Sequence, residues 1–139
     1  MHSVSSLVTA LILQVAGWEA FEDLSYKWEY SEQFGMKIEL PVFTKKMQAL
    51  EGTEITLTGY YLPMDLDGDR IIISKLPYAA CFFCGGGAGQ ESVAEVHFNN
   101  VQRPFRMDEL LTVKGKLKLN DDDYNHLIFM LTDAKVIQL

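Results

Sequence analysis

From Thr53 onward, apolar and polar residues alternate with a period of two, the spacing of a strand with one face buried and one face wet. In "EITLTGYYL", Ile55, Leu57, Gly59 and Tyr61 alternate with Thr56, Thr58 and Tyr60. "RIIISKL" follows a tight "DLDGD" turn, and "SVAEVHF" sets Ala94, Val96 and Phe98 against Val93, Glu95 and His97. "LLTVKGKLKL" places Leu111, Val113, Leu117 and Leu119 on one face and Lys114, Lys116 and Lys118 on the other. The polar turn "NDDDYN" then leads into "HLIFMLTDAKVIQL", in which His126 opens a fifth strand without a visible partner. Mid-strand glycines Gly59 and Gly115 suit the bends of a closed sheet. No helix-length pattern separates these strands, which argues against a mostly parallel sheet and leaves an open antiparallel sheet as the main competitor. The expected fold is all-β: a five-stranded OB-like Greek-key barrel over residues 53–139.

Residues 18–52 read as an arm attached to that barrel. Trp18, Phe21 and Leu24 fall on one side of a short helix; Tyr26, Trp28 and Tyr30 then alternate with Lys27 and Glu29, and a Gly35 turn leads into "MKIEL", a hairpin pattern. "PVFTKKMQALEG" predicts a helix with Pro41 at its first position, Phe43, Met47 and Leu50 on one face, and Gly52 as its stop. Residues 1–17 are apolar or small from Val4 to Ala16. That run is too short to span a bilayer as a helix, but it has the length of a secretory signal core, with Val15-Ala16-Gly17 offering small residues for cleavage. No Lys or Arg precedes it. The expectation is an exported, periplasmic protein and not an integral membrane protein.

Composition narrows the functional classes. A chain of 139 residues with 48% hydrophobic side chains can bury one domain's core. A formal net charge of −7 disfavours nucleic acid as a partner, since that affinity comes mainly from Lys and Arg neutralising phosphates. The lysines of the "KGKLK" strand read as a solvated face.

Three stretches resemble a group of bacterial exported proteins that carry a domain of unknown function with an OB-like barrel. They are "ALEGTEITLTGYYLPMD" (Ala49 to Asp65), "SKLPYAACFFCGGGAGQESVAEVHF" (Ser74 to Phe98) and "VKGKLKLNDDDYNHLIFMLTDA" (Val113 to Ala134). The resemblance covers nearly everything after Trp18 and implies export and a barrel, but no reaction. Relatives in the broader group carry one Cys, a His and a proline run where this chain has Cys81-Phe82-Phe83-Cys84, so a Cys-His ligand scheme does not transfer to Phe82 or Phe83.

The two cysteines, Cys81 and Cys84, are the first chemical candidates. In an exported protein the default is a local disulfide, which closes too small a loop to contribute much global stability and instead stiffens the loop. As thiolates they supply half of a tetrahedral zinc site, with His97 and Glu95, at two-residue spacing on one strand face, as weak candidates to complete it. A thioredoxin-like role needs a stabilised thiolate, and neither a helix start nor a basic residue lies at the motif. Gly85, Gly86, Gly87 and Gly89 free the backbone, but no Lys-Ser/Thr pair or following helix makes a phosphate loop. Asp65, Asp67 and Asp69 evoke a calcium loop, yet Gly68 sits two positions early and the twelfth residue is Leu76; Asp121, Asp122 and Asp123 read as a soluble turn. Ser92 has no evident base, and Glu91 and Glu95 form an acid–base pair only if the fold juxtaposes them. Tyr78, Phe82 and Phe83, if exposed together, make an apolar recognition patch. The reading favoured by the sequence is a non-catalytic domain that needs no cofactor. It binds a protein or small ligand of the cell envelope through the Cys81–Gly89 loop and its aromatics. The alternatives are a zinc-handling protein and a thiol–disulfide oxidoreductase.

Overall fold

The structure is a computed structural model that describes residues 15–64, 68–85 and 87–137. Five strands close into a barrel: β3 (Glu54–Leu62), β4 (Arg70–Ser74), β5 (Val93–Phe98), β6 (Leu110–Leu119) and β7 (Phe129–Ile137), in the order β3-β4-β5-β7-β6. β6 returns to pair with β3, and β7 inserts between β5 and β6. β5 and β7 run parallel while every other barrel pair is antiparallel. This is the Greek-key path of an OB-like barrel.

The alternation in the sequence becomes an inside and an outside. Leu57, Ile71, Ile73, Ala94, Val96, Leu111, Val113, Leu117, Phe129 and Leu131 are buried in one interior cluster. Lys114 and Lys116 face solvent and meet Glu54 (3.2 Å) and Asp133 (3.8 Å) across the strands. Gly115 sits where the β6–β7 register shifts; a Cβ there would lie 3.0 Å from the Thr132 carbonyl oxygen and 3.1 Å from Ala134. Gly59 lets β3 pass under Trp18 and the Ser74 backbone.

The N-terminal extension seals one end. Ala16 exchanges two backbone hydrogen bonds with Thr58 (3.2 and 3.0 Å), and the 3-10 turn Trp18–Phe21 follows. Trp18 Nε1 donates to the Thr58 carbonyl (2.9 Å), and Phe21 stacks on Phe129 with ring centroids 3.9 Å apart. The hairpin β1 (Ser25–Ser31) and β2 (Met36–Val42) forms its own two-stranded sheet, closed at Gly35 with φ +64°. Its tip returns to the barrel, where Phe34 meets Tyr124 edge-on at 5.1 Å.

The expected helix is shorter than its pattern. α1 is Lys45–Leu50, and Thr44 caps it by accepting from Met47 N at 3.1 Å. Pro41, expected at the first helical position, instead lies in β2 opposite Tyr26. A hydroxyl cap satisfies an orphan helix N–H that proline could not, and an edge strand tolerates proline's missing donor. Residues 1–14, which hold His2 and most of the proposed signal core, lie outside the described residues, as do Asp65, Asp67 and Gly86. Among the described residues no helix is long and apolar enough to cross a membrane.

Candidate functional site

A barrel strand needs burial only on its inner face, yet β5 is covered on both. On its outer face Val93 is buried, Glu95 is 3% exposed and His97 is half-buried. Two things cover that face. One is the loop after β4, whose Cys81 packs with Leu62, Ile72 and Val93 in a second, smaller core. This core explains why Ile71, Ile72 and Ile73 are all buried: β4 has apolar neighbours on both sides. The other is the turn between β6 and β7, residues 120–128.

Asn120 builds that turn. Its side chain is buried; Oδ1 accepts from the Asp122 and Asp123 N–H groups (3.4 and 3.0 Å), and Nδ2 donates to the carbonyls of Asp123, His126 and Leu127 (2.7, 3.2 and 3.1 Å). A single amide thereby holds the "NDDDYNHL" segment closed and fixes where His126 stands. His126, expected to open the last strand without a partner, lies three residues before β7. Its Nδ1 is 2.6 Å from Glu95 Oε2. His97 Nε2 reaches the same oxygen at 2.5 Å, and the Leu127 N–H donates to Oε1 at 3.3 Å. The two imidazole centroids are 5.6 Å apart. Beyond His126, its Nε2 lies 3.8 Å from Asp123 Oδ2.

One buried carboxylate thus collects two imidazoles and a backbone N–H. The carboxylate oxygen and the two ring nitrogens lie within 4.8 Å of one another. Two neutral imidazoles and a carboxylate are the donor set of a borderline divalent cation such as zinc, with a position left open to water. A cation at the centre would displace the two ring protons now directed at Oε2. It would also spread the three atoms to the roughly 3.3 Å mutual separation of tetrahedral ligands at ordinary zinc distances. Asp123 Oδ2, 3.8 Å from the second nitrogen of His126, lies outside hydrogen-bond distance; a small side-chain rotation would let it accept from that nitrogen and favour Nδ1 as the ligand atom. Beside the site, a cleft of about 220 Å³ runs between Glu39, Leu40 and Pro41 of β2 and His126 and Leu127 of the turn.

Of the residues singled out in the sequence, Glu95 and His97 meet in this site, and His126 completes it. Neither cysteine belongs to the donor group. The disulfide expected between Cys81 and Cys84 is not formed: both are free thiols, with Sγ atoms 2.8 Å apart against about 2.05 Å for a bond. The reason is local. A 3-10 turn, Phe82–Cys84, eclipses positions i and i+3 and so brings the sulfurs together, while the Cys84 thiol donates to the Tyr78 carbonyl at 2.7 Å. The hydrogen bond with Cys81, then desolvation and the nearness of the Cys81 charge, push the Cys84 thiol above its ordinary range.

The aromatic trio is divided. Tyr78 and Phe83 are exposed, whereas Phe82 packs on the second core and meets Phe83 edge-on at 5.2 Å. Gly85 and Gly87 have φ of +73° and +83°, conformations that favour glycine, so their role is to turn the chain. Ser92 Oγ donates to the Gly89 carbonyl (2.6 Å). Glu91 lies near Tyr26, whose phenol is pushed up by desolvation and then by Glu91 and Glu39, while Glu95 is directed at His126 and His97. Asp121, Asp122 and Asp123 form the exposed rim of the Asn120 turn. The sequence missed His126. Its only local signals were an Asn followed by Asp, which announces a side-chain-closed turn, and the Glu-x-His spacing waiting for a third donor.

No family model matches the chain, and neither a curated protein nor a solved structure matches it.

Proposed function

We propose that this protein is a non-catalytic accessory domain that binds a zinc-class divalent cation through Glu95, His97 and His126. One observation carries the reading: two ring nitrogens from distant parts of the chain converge on one oxygen of a buried carboxylate. Further support comes from the Asn120 turn, which holds His126 in place before any cation arrives, and from Asp123 beyond it. Relative to the zinc-handling reading of the sequence, the ligands move from Cys81 and Cys84 to the two histidines. The two sulfurs lie outside the group of donors that the fold gathers around Glu95. Export to the cell envelope, as the family resemblance implies, accompanies this reading.

The test is titration of the chelator-stripped full chain with zinc, and with cobalt, whose visible absorption reports coordination. The expected result is one equivalent bound, weakened at least about tenfold in His126→Gln and in His97→Gln, and unchanged in a Cys81→Ala/Cys84→Ser double variant. Binding that survives His126→Gln, or that disappears with the cysteines, overturns the assignment. A second reading, docking of a protein or small ligand on the Cys81–Gly89 loop, has one observation in its favour: Tyr78 and Phe83 are exposed there. Tyr78→Ala and Phe83→Ala test it by weakening a captured partner without lowering thermal stability.

A further inference from the structure

The cation site leaves unused the two thiols of the loop after β4. They are unlike each other. Cys81 is fully buried against Leu62, Ile72 and Val93, while Cys84 is exposed three residues later on the same 3-10 turn. The Sγ atoms already touch at 2.8 Å, and the backbone that joins them is tied twice, Cys81 N to Tyr78 O (3.2 Å) and Cys84 N to Cys81 O (3.1 Å). The loop is anchored from outside as well, where Tyr78 N donates to Asp108 Oδ1 at 2.8 Å. Closing the sulfur pair therefore asks for about 0.75 Å of approach, from 2.8 Å to about 2.05 Å, and the loss of the two hydrogen bonds made by the S–H groups.

We infer that Cys81 and Cys84 form a reversible two-electron site that undergoes thiol–disulfide exchange with a small-molecule or peptide disulfide, stoichiometrically and independently of the cation site. Cys84 is the attacking sulfur. Its thiolate displaces one thiolate from the incoming disulfide and forms a mixed disulfide. Cys81 then attacks the Cys84 sulfur, releases the second thiolate and leaves the Cys81–Cys84 bond. The two protons lost by the cysteines end on the two released thiols, so one external disulfide is reduced for each internal one formed. Burial assigns the order, because an external disulfide can reach only Cys84. The raised Cys84 thiol makes the exchange slow in both directions: few thiolates attack at neutral pH, and a poorly acidic thiol is a poor leaving group when the bond is reduced. Such a pair is a durable latch on the loop and no turnover catalyst.

The test equilibrates the folded full chain with glutathione and glutathione disulfide at several ratios, then quenches with acid, alkylates and weighs the protein. The expected result is a single transition from two alkyl groups to none, with little mixed disulfide at any ratio. The exchange rate rises about tenfold per pH unit between pH 7 and 8, as a thiolate mechanism requires. In single variants the asymmetry is read directly. Cys81→Ala, which keeps the buried position small and apolar, acquires one glutathione at Cys84. Cys84→Ser acquires it at least tenfold more slowly while folded, and as fast as Cys81→Ala in urea. Circular dichroism of each variant confirms folding, and a poorly folded Cys81→Ala is replaced by Cys81→Val. An alkylation count that does not change with the glutathione ratio overturns the inference, as does glutathione adding to Cys81 as readily as to Cys84 in the folded chain.

Discussion

Replacing Glu95 by Gln exchanges one carboxylate oxygen for an NH2 group and tests the site with almost no change in volume. In the native protein Oε2 faces both imidazole nitrogens and Oε1 accepts from the Leu127 N–H. If the amide oxygen of Gln takes the Oε2 position, both rings keep an acceptor, but the bonds lose their charge assistance, about 1 kcal/mol in total. The amide nitrogen then points at the Leu127 N–H, donor against donor, and a buried unsatisfied donor costs about 1–3 kcal/mol. Flipping the amide relieves Leu127 and sets the same conflict against two rings. Summed, the variant should unfold about 2–4 kcal/mol more easily, a midpoint drop of roughly 6–14 °C for a chain of this size. Urea and thermal unfolding of the metal-free protein, followed by circular dichroism, measure it. Zinc titration of the same sample should show affinity falling at least about tenfold, because the anionic ligand is gone. A stability loss below about 0.5 kcal/mol would refute the reasoning, since it would mean that the three donors have solvent to turn to.

Two further outcomes follow from the fold. Gly59→Ala places a Cβ 2.7 Å from the Ser74 carbonyl oxygen and 2.9 Å from the Trp18 ring, so urea unfolding should show a loss of about 1–3 kcal/mol; an unchanged midpoint would mean that Trp18 and the Ser74 backbone move aside at no cost. The hydrogen bonds from the Arg103 guanidinium and then from the Arg106 N–H hold the Glu109 carboxyl below the usual carboxylate range, so its stabilisation is present above the ordinary carboxylate pKa and disappears as acid takes the pH through the lowered folded value. Glu109→Gln should therefore be slightly less stable than the native chain at pH 7 and equal to it in strong acid, a small gap because Arg103 is largely exposed; a gap that persists in acid would assign the loss to packing instead.

How much of this was legible in the sequence depends on the range of the interaction. The period-two alternation of β3, β5 and β6 states which residues face the barrel interior, because that pattern is local and the interior is the only apolar sink it requires. The hairpin was equally readable from Tyr26, Trp28 and Tyr30 alternating with polar residues up to Gly35. The start of α1 was not, since Pro41 fits a helix N-terminus as well as an edge strand, and the choice was made by pairing with Tyr26. The candidate site was half-legible. Glu95 and His97 share a strand face by spacing alone. His126 lies 31 positions beyond Glu95 and is brought there by the parallel β5–β7 pairing, which sets Glu95 opposite Met130. No local pattern announces a parallel pair that forms only when the barrel closes. The state of the cysteines was hidden for a related reason: exposure of one and burial of the other depend on Leu62, Ile72 and Val93, which come from three different strands.

The proposed cation site rests on the outer face of β4 and β5, where the choice of side chains asks for an explanation beyond packing. Stability alone is best served there by continuing the second core, since Ile72 and Val93 already bury apolar surface and the position opposite Ile72 could do the same. Instead that position holds a glutamate that must be desolvated, and it is tolerated because three donors meet it. Two of those donors are imidazoles, the side chains whose nitrogens exchange a proton for a metal ion most readily near neutral pH, and a backbone N–H or an asparagine would have satisfied the carboxylate as well. Purely structural satisfaction therefore accounts for the hydrogen bonds but not for the choice of partners. The proposed cation site would account for both, and under that proposal the Asn120 turn would carry His126 and its neighbour Asp123 on one segment closed by a single amide.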